Sequence, residues 1–313
     1  MSVLTFEPIY QERIWGGRTL ETSLNRQLPP ETKIGESWEV SDREEAQSQV
    51  AGKNASLHQL WTSAEKATLF GTAAPASERF PLLIKVLDAK EKLSLQVHPP
   101  AHLAEKFDGE PKTECWYFIE TEKEAEIYVG LKEGVTRDKF SSAIEDKTVA
   151  DCFHVLPTQP GETMFLPSGR VHAIGGGNLI LEVQQNSDTT FRVYDWDRVD
   201  AKTGQPRQLH IQESLECIDY DDIEPIFTQP HGETVIECVY FNLYRSFFFD
   251  KESRHMTISP KSCVYGFNSH GRFKVGDQEL ERGTSFMITA DSGEIEISCL
   301  EDEGELLTVT WPG

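Results

Sequence analysis

The stretch Leu93-Ser94-Leu95-Gln96-Val97-His98-Pro99-Pro100 constrains this chain more than any other. Leu93, Leu95 and Val97 alternate with Ser94, Gln96 and His98, the two-residue period of a strand with one apolar and one polar face. Gln96 and His98 therefore point the same way. The two prolines then end the strand, because proline has no N–H to give to a ladder. An imidazole presented just before a strand closes suits a metal ligand, and it suits a hydrogen-bonded structural role as well.

Two later stretches favour the metal. Lys112-Thr113-Glu114-Cys115-Trp116-Tyr117-Phe118-Ile119 is rich in aromatic and β-branched residues and reads as a strand with Lys112 and Glu114 on one face. Gly161 to His172 reads as a turn, a short strand and a tight loop that ends in a second histidine. His98, Glu114 and His172 together offer two imidazoles and a carboxylate, a set suited to zinc or non-haem iron with positions left open. Ligands this far apart in sequence predict a β-barrel whose strands converge, not a compact helical zinc motif.

The remaining segments fit that architecture. Trp15-Gly16-Gly17 and Ser37 to Ser41 read as short strands, with glycines that permit close backbone approach over a site. A helix is predicted over Ser56 to Phe70 and stopped by Gly71, another over Ala101 to Phe107, and a third over Thr136 to Asp151 with Thr136 as its cap. Lys85 sits within the apolar strand Phe80 to Asp88 and is expected to face a polar cavity. Gly175-Gly176-Gly177 lacks the spacing of a phosphate loop and precedes a strand, so it reads as a hairpin turn. In that strand, Glu182 and Gln184 share a face aimed into the barrel. Residues 197–232 are polar and loop-rich, with a short helix at Gln212 to Cys217. From Thr234 onward the chain reads as many short strands. Leu280 to Met287 echoes Gln159 to Leu166, but no histidine follows where His172 follows the first copy, so the second unit is expected to be metal-free.

The formal charge of −22 excludes nucleic acid as a partner, whose phosphates would be repelled. It also means that an anionic ligand needs a local cationic pocket. The first residues carry no basic and apolar signal, and the apolar run Ser246 to Phe249 is too short to span a membrane. Cysteines 115, 152, 217, 238, 263 and 299 are scattered without a Cys-x-x-Cys pair, as expected for reduced thiols in the cytoplasm.

Gln96-Val97-His98-Pro99, Lys112-Thr113-Glu114-Cys115-Trp116-Tyr117, Pro167-Ser168-Gly169 before His172-Ala173, and Gln184 to Asp195 appear in that order. Together with Ile14-Trp15-Gly16-Gly17 and Gly35 to Ser41, they resemble the type I mannose-6-phosphate isomerases, and most closely their short bacterial form. The resemblance runs from about Trp15 to Trp196. It implies a mainly β fold, a cupin-type jelly-roll barrel with a few inserted helices in residues 1–232, and a smaller metal-free β-sandwich in residues 233–313. It also implies one Zn2+ per chain held by His98, Glu114, His172 and Gln96, with Arg192 as the catalytic arginine. Lys112 would orient sugar hydroxyls or move a proton, and Glu182 would act as general base or as support for a ligand histidine. Lys85, Lys112 and Arg192 are the substrate-binding candidates for a sugar phosphate. The residues alone leave two other readings open, a ferrous-iron cupin oxygenase and a sugar-binding cupin without turnover. Nothing in the sequence gives the oligomeric state.

Overall fold

Residues 2–200 and 203–312 are described by a computed structural model, in which strands predominate and helices are short. Every strand pairing within its four larger sheets is antiparallel. A five-stranded sheet has the order Phe153–Pro157, Glu126–Leu131, His172–Ile174, Leu95–Val97, Phe191–Tyr194. It faces a six-stranded sheet ordered Thr163–Leu166, Glu114–Thr121, Asn178–Gln185, Leu82–Ala89, Ile34–Val40, Ile9–Gly17. Between the two sheets lies a core of Trp116, Phe118 and Ile180 from one side and Ile127, Val129 and Ile174 from the other.

The alternation at 93–98 is resolved by these two layers. Leu95 and Val97 turn outward and share a buried cluster with Phe140 and Leu215, supplied by the helices Arg137–Glu145 and Ile211–Cys217. The opposite face of the strand, with Gln96 and His98, looks into the barrel. The inserted helices therefore cover the outer sheet face that would otherwise be bare.

The outward face of the six-stranded sheet is also covered. Val86, Cys115, Tyr117, Leu181 and Val183 join one core with Tyr265, Phe267, Met287, Leu307 and Val309. Those partners belong to a second six-stranded sheet, ordered Val3–Thr5, Ser285–Ile288, Val264–His270, Glu303–Thr310, Asn242–Phe249, Thr234–Glu237. A four-stranded sheet packs on its far side through Phe273, Phe286, Ile297 and Leu306. Polar links cross between the two six-stranded sheets as well. Tyr117 donates to the Glu305 carboxylate, and Ser285 Oγ donates to Glu39 Oε2 at 2.7 Å. The first strand of the chain lies in the second sandwich, with Val3 opposite Ile288. Gly161 and Gly283, each two residues before the strand of its echoed segment, both adopt positive φ (86° and 81°), which favours glycine.

Three local expectations differ from the structure. The segment from Ser56 to Phe70 forms two helices, Leu57–Trp61 and Lys66–Phe70. Ser56 caps the first through a capping box with Gln59, but Thr62 and Ser63 bond back to the carbonyls of His58 and Leu60, which favours a turn over continued helix. The helix capped by Thr136 ends at Glu145, because Lys147 takes a left-handed φ of 58° before a 3-10 turn, Val149–Cys152. Gly175-Gly176-Gly177 is not a hairpin. The strands on either side belong to different sheets, so these glycines carry the chain across the edge of the barrel. A Cβ on Gly175 would stand 2.3 Å from the carbonyl oxygen of Glu126.

Candidate metal centre

His98, Glu114 and His172 come from three different segments and meet inside the barrel, each at most 1% exposed. One donor atom from each lies within 4.8 Å of the other two. Antiparallel register brings them together: His172 pairs with Gln96, while Glu114 pairs with Leu166 on one side and Gln184 on the other. His98 Nδ1 bonds the carbonyl of Thr189 at 2.8 Å, and His172 Nδ1 bonds that of Arg170 at 2.9 Å. A carbonyl only accepts, so each Nδ1 carries the proton and each Nε2 turns a lone pair toward Glu114. The separations are 3.5 Å from His98 Nε2 to Glu114 Oε2 and 3.6 Å from His172 Nε2 to Glu114 Oε1. Two donors at about 2.0–2.2 Å from one tetrahedral ion stand roughly 3.3–3.6 Å apart. His98 Nε2 and Glu114 Oε1 are buried without a hydrogen-bond partner, and Glu114 Oε2 meets only Lys112 Nζ. These residues fit a metal ion.

Electrostatics agree with neutral imidazoles. Burial, reinforced by Lys112 and His172, holds His98 well below the usual histidine range, and burial takes His172 down to about 4. In the metal-free protein an unfolded histidine binds a proton near pH 6.5 while His172 does not until about pH 4. Stability should therefore be complete above pH 6.5 and fall progressively toward pH 4. Thermal unfolding of chelator-treated protein across that range should show this decline, and zinc, competing with the proton at Nε2, should delay it. A flat profile would place the two histidines in water.

The site opens into a cavity of about 300 Å³. Gln96, Lys112, Glu182, Lys85 and Arg192, the other site candidates from the sequence, all line this wall; Gln184 does not, its amide donating to the carbonyls of Gln185 and Ser187. Gln96 Nε2 is 3.3 Å from His172 Nε2, and Gln96 Oε1 accepts from Ser94 Oγ at 3.3 Å. Lys112 Nζ is 2.8 Å from Glu114 Oε2; burial opposes its charge, but Glu114 and Glu182 outweigh burial and raise its pKa. Glu182 is raised by burial and by the Glu114 charge, with Lys112 and Lys85 restraining the rise. It accepts from Trp116 Nε1 at 3.1 Å and has no bond to either ligand histidine, whose Nδ1 atoms are committed elsewhere. Lys85 does face the cavity, within 3.5–3.9 Å of Glu182, Glu36 and Asp188. Arg192 donates from Nε to Ser94 Oγ at 3.2 Å and from Nη1 to the Gln208 carbonyl at 2.9 Å. No carboxylate pairs with it among the described residues.

Several lining residues had no assigned role. Arg13 forks onto Glu36, which also accepts from Trp38 Nε1 at 2.7 Å. Although burial opposes it, the charge of Lys85 and Arg13 draws Glu36 down to about 2. The strands carrying Arg13 and Glu36 touch so closely that a Cβ on Gly16 would stand 2.5 Å from Gly35 N. Asp188, Arg207 and His210 also line the cavity. Of the missed residues, Ser94 shares the strand face of Gln96 and His98, and Glu36 and Asp188 fall within the quoted stretches Gly35 to Ser41 and Gln184 to Asp195, whereas Arg13, Arg207 and His210 had no sequence signal.

Residues 3–149 match the family described as phosphomannose isomerase type I, catalytic domain. The probable mannose-6-phosphate isomerase GmuF of Bacillus subtilis (strain 168) is 37% identical over 312 residues, covering 94% of this chain and 95% of that protein. The crystal structure of the mannose 6-phosphate isomerase from Bacillus subtilis superimposes with a TM-score of 0.86 at 29% identity, covering 99% of both chains. A crystal structure of a zinc-bound holo mannose 6-phosphate isomerase shares the fold at TM-score 0.78 and 17% identity, covering 100% of both chains.

Proposed function

This chain belongs to the type I phosphomannose isomerase family, and from that premise we propose that it interconverts mannose 6-phosphate and fructose 6-phosphate, with one Zn2+ per chain. The observation that carries the reading is the buried Glu114 carboxylate, set between two imidazole lone pairs, its Oε1 without a hydrogen bond and its Oε2 met only by Lys112. His98, Glu114, His172 and the Gln96 amide oxygen would hold the zinc, which supplies a Lewis acid for the sugar's oxygens. For Gln96 this requires its amide to turn over, so that Nε2 rather than Oε1 meets Ser94.

Aldose–ketose interconversion removes a proton from the carbon beside a carbonyl and returns it to the neighbouring carbon. Glu182 is the carboxylate for that transfer, because it lines the cavity between Lys85 and Lys112, and burial raises its pKa above the ordinary carboxylate range. Lys85 and Lys112 flank it and hold the sugar hydroxyls. Arg192 binds substrate and faces the negative charge that builds on oxygen in the enediolate. Neither an oxygenase nor a sensor without turnover has an observation in its favour.

We further propose a division at 232/233 into a catalytic and a C-terminal unit, with the strand Val3–Thr5 reaching from the first into the second. The cytoplasm is the proposed compartment; among the described residues no helix is long and apolar enough to cross a membrane. A coupled assay, mannose 6-phosphate in and fructose 6-phosphate out, should give turnover that a chelator abolishes and zinc restores. Restoration by ferrous iron alone, and only with oxygen, would overturn the isomerase.

A further inference from the structure

We propose that Arg207 and His210, at the outer end of the cavity beside Arg192, bind the phosphoryl group of the substrate. The inference rests on the isomerase reading and places the substrate within that site. The cavity has two ends of different depth. Lys85 and Lys112 are only 4% and 5% exposed at the side chain, whereas Arg207 is 22% exposed.

At the deep end each cation already has an internal anion. Lys112 lies on Glu114 and Lys85 lies among Glu36, Glu182 and the more exposed Asp188; Arg13, itself 28% exposed, is also paired, forking onto Glu36. A phosphate dianion entering there would displace carboxylates that repel it.

The outer end is short of negative charge. Arg198 and Arg207 share one carboxylate, Asp195, and Arg192 has none. Arg207 commits Nε and Nη2 to Asp195 at 2.8 and 2.6 Å, and its Nη1 makes no hydrogen bond to the described residues. Arg192 likewise leaves Nη2 unbonded. Burial and the neighbouring Arg207 take Arg192 down to about 10, the effect of cations crowded without enough anions.

His210 completes the donor set. The backbone N–H of Arg192 donates to its Nδ1 at 3.2 Å, so Nδ1 must be unprotonated and the ring's one proton sits on Nε2. A neutral imidazole is thus fixed as a hydrogen-bond donor beside two unfilled guanidinium edges, all three residues lining the same cavity. A phosphate monoester has three strong acceptor oxygens, and planar guanidinium forks match them. In a chain of charge −22 no general field attracts such a ligand, so the local excess of cations has to. Anchoring the phosphate here leaves carbons 1 and 2 to reach Glu182 and the metal ligands.

Inorganic phosphate is the probe. On the zinc-loaded wild-type enzyme it should inhibit competitively with mannose 6-phosphate and raise the thermal unfolding midpoint. Arg207→Gln should raise both KM and the phosphate inhibition constant by about tenfold or more while kcat changes by less than about threefold. Arg207→Lys should recover part of the loss, because charge returns without the fork. His210→Leu, which removes the donor at a separate position, should shift KM and phosphate inhibition in the same direction, and serves if the Arg207 variants do not fold. Unchanged KM and phosphate inhibition in both variants, or phosphate inhibition that is not competitive, would overturn the assignment. So would a joint fall of kcat, zinc content and unfolding midpoint, which marks a structural role. If the wild type fails to turn over mannose 6-phosphate, yet phosphate stabilises it and not Arg207→Gln, the isomerase reading fails while the anion site stands.

Discussion

Glu114→Gln should abolish turnover, by about a thousandfold or more, and the bound zinc should leave with it. The substitution keeps the shape of the side chain and removes only its charge. Glu114 is the sole carboxylate in the ligand set, it is fully buried, and apart from Lys112 at its Oε2 neither oxygen has another partner. A metal that stabilises developing charge contributes several kcal/mol, and each ~1.4 kcal/mol is tenfold in rate. Loss of the ion therefore accounts for the whole effect. The variant also leaves Lys112 with only the more distant Glu182, at 4.0 Å against 2.8 Å for Glu114. For that reason metal content and unfolding midpoint must be measured beside the rate. The expected pattern is a folded protein with little zinc. A Glu114→Gln enzyme that keeps stoichiometric zinc and normal kcat would remove Glu114 from the metal centre.

Arg192→Ala should instead keep the zinc and lose kcat, by about a hundredfold, the usual loss on removing a donor aimed at transition-state charge. Arg192 is not a ligand, but it is joined to the centre through Ser94 and Gln96 by contacts of 3.2 and 3.3 Å. With no carboxylate partner, its charge is available to the reacting oxygens. Arg192→Lys should rescue little. A lysine keeps the charge but loses the planar fork, whose separate nitrogens reach Ser94 and the Gln208 carbonyl while the third faces the cavity. Near-normal turnover in Arg192→Lys would reduce Arg192 to a source of positive potential. The contrast with Arg207 is diagnostic: one variant loses kcat and the other gains KM.

The parts of this site that were legible lie on strands, where a two-residue period tells which way a side chain points. That logic placed Gln96 with His98, Lys112 with Glu114, and Glu182 on the inward face. It also put Lys85 toward a polar cavity, one of the two ways, with snorkelling, in which an apolar strand accommodates a lysine. Arg207 and His210 lie in a polar loop without a period, and only the tertiary fold brings them beside Arg192. The Arg13–Glu36 pair was hidden for a related reason, because which strand edges meet depends on pairing order and not on either segment alone. The misread helix at 56–70 reflects two hydroxyls that compete for backbone carbonyls. The misread turn at 175–177 reflects sheet membership, which local glycine spacing does not encode.

The strand Asn178–Gln185 is a party wall. Glu182 looks into the cavity while Leu181 and Val183, its immediate neighbours, are held by the C-terminal sandwich. Adjacent codons therefore answer to different demands, one to chemistry and the next to a packing partner more than eighty residues away. A substitution at Phe267 or Leu307 that shifts this strand by a fraction of an ångström also moves Glu182, the proposed base, within the cavity. Variants that alter rate without touching the cavity should be sought there, on the far side of the wall.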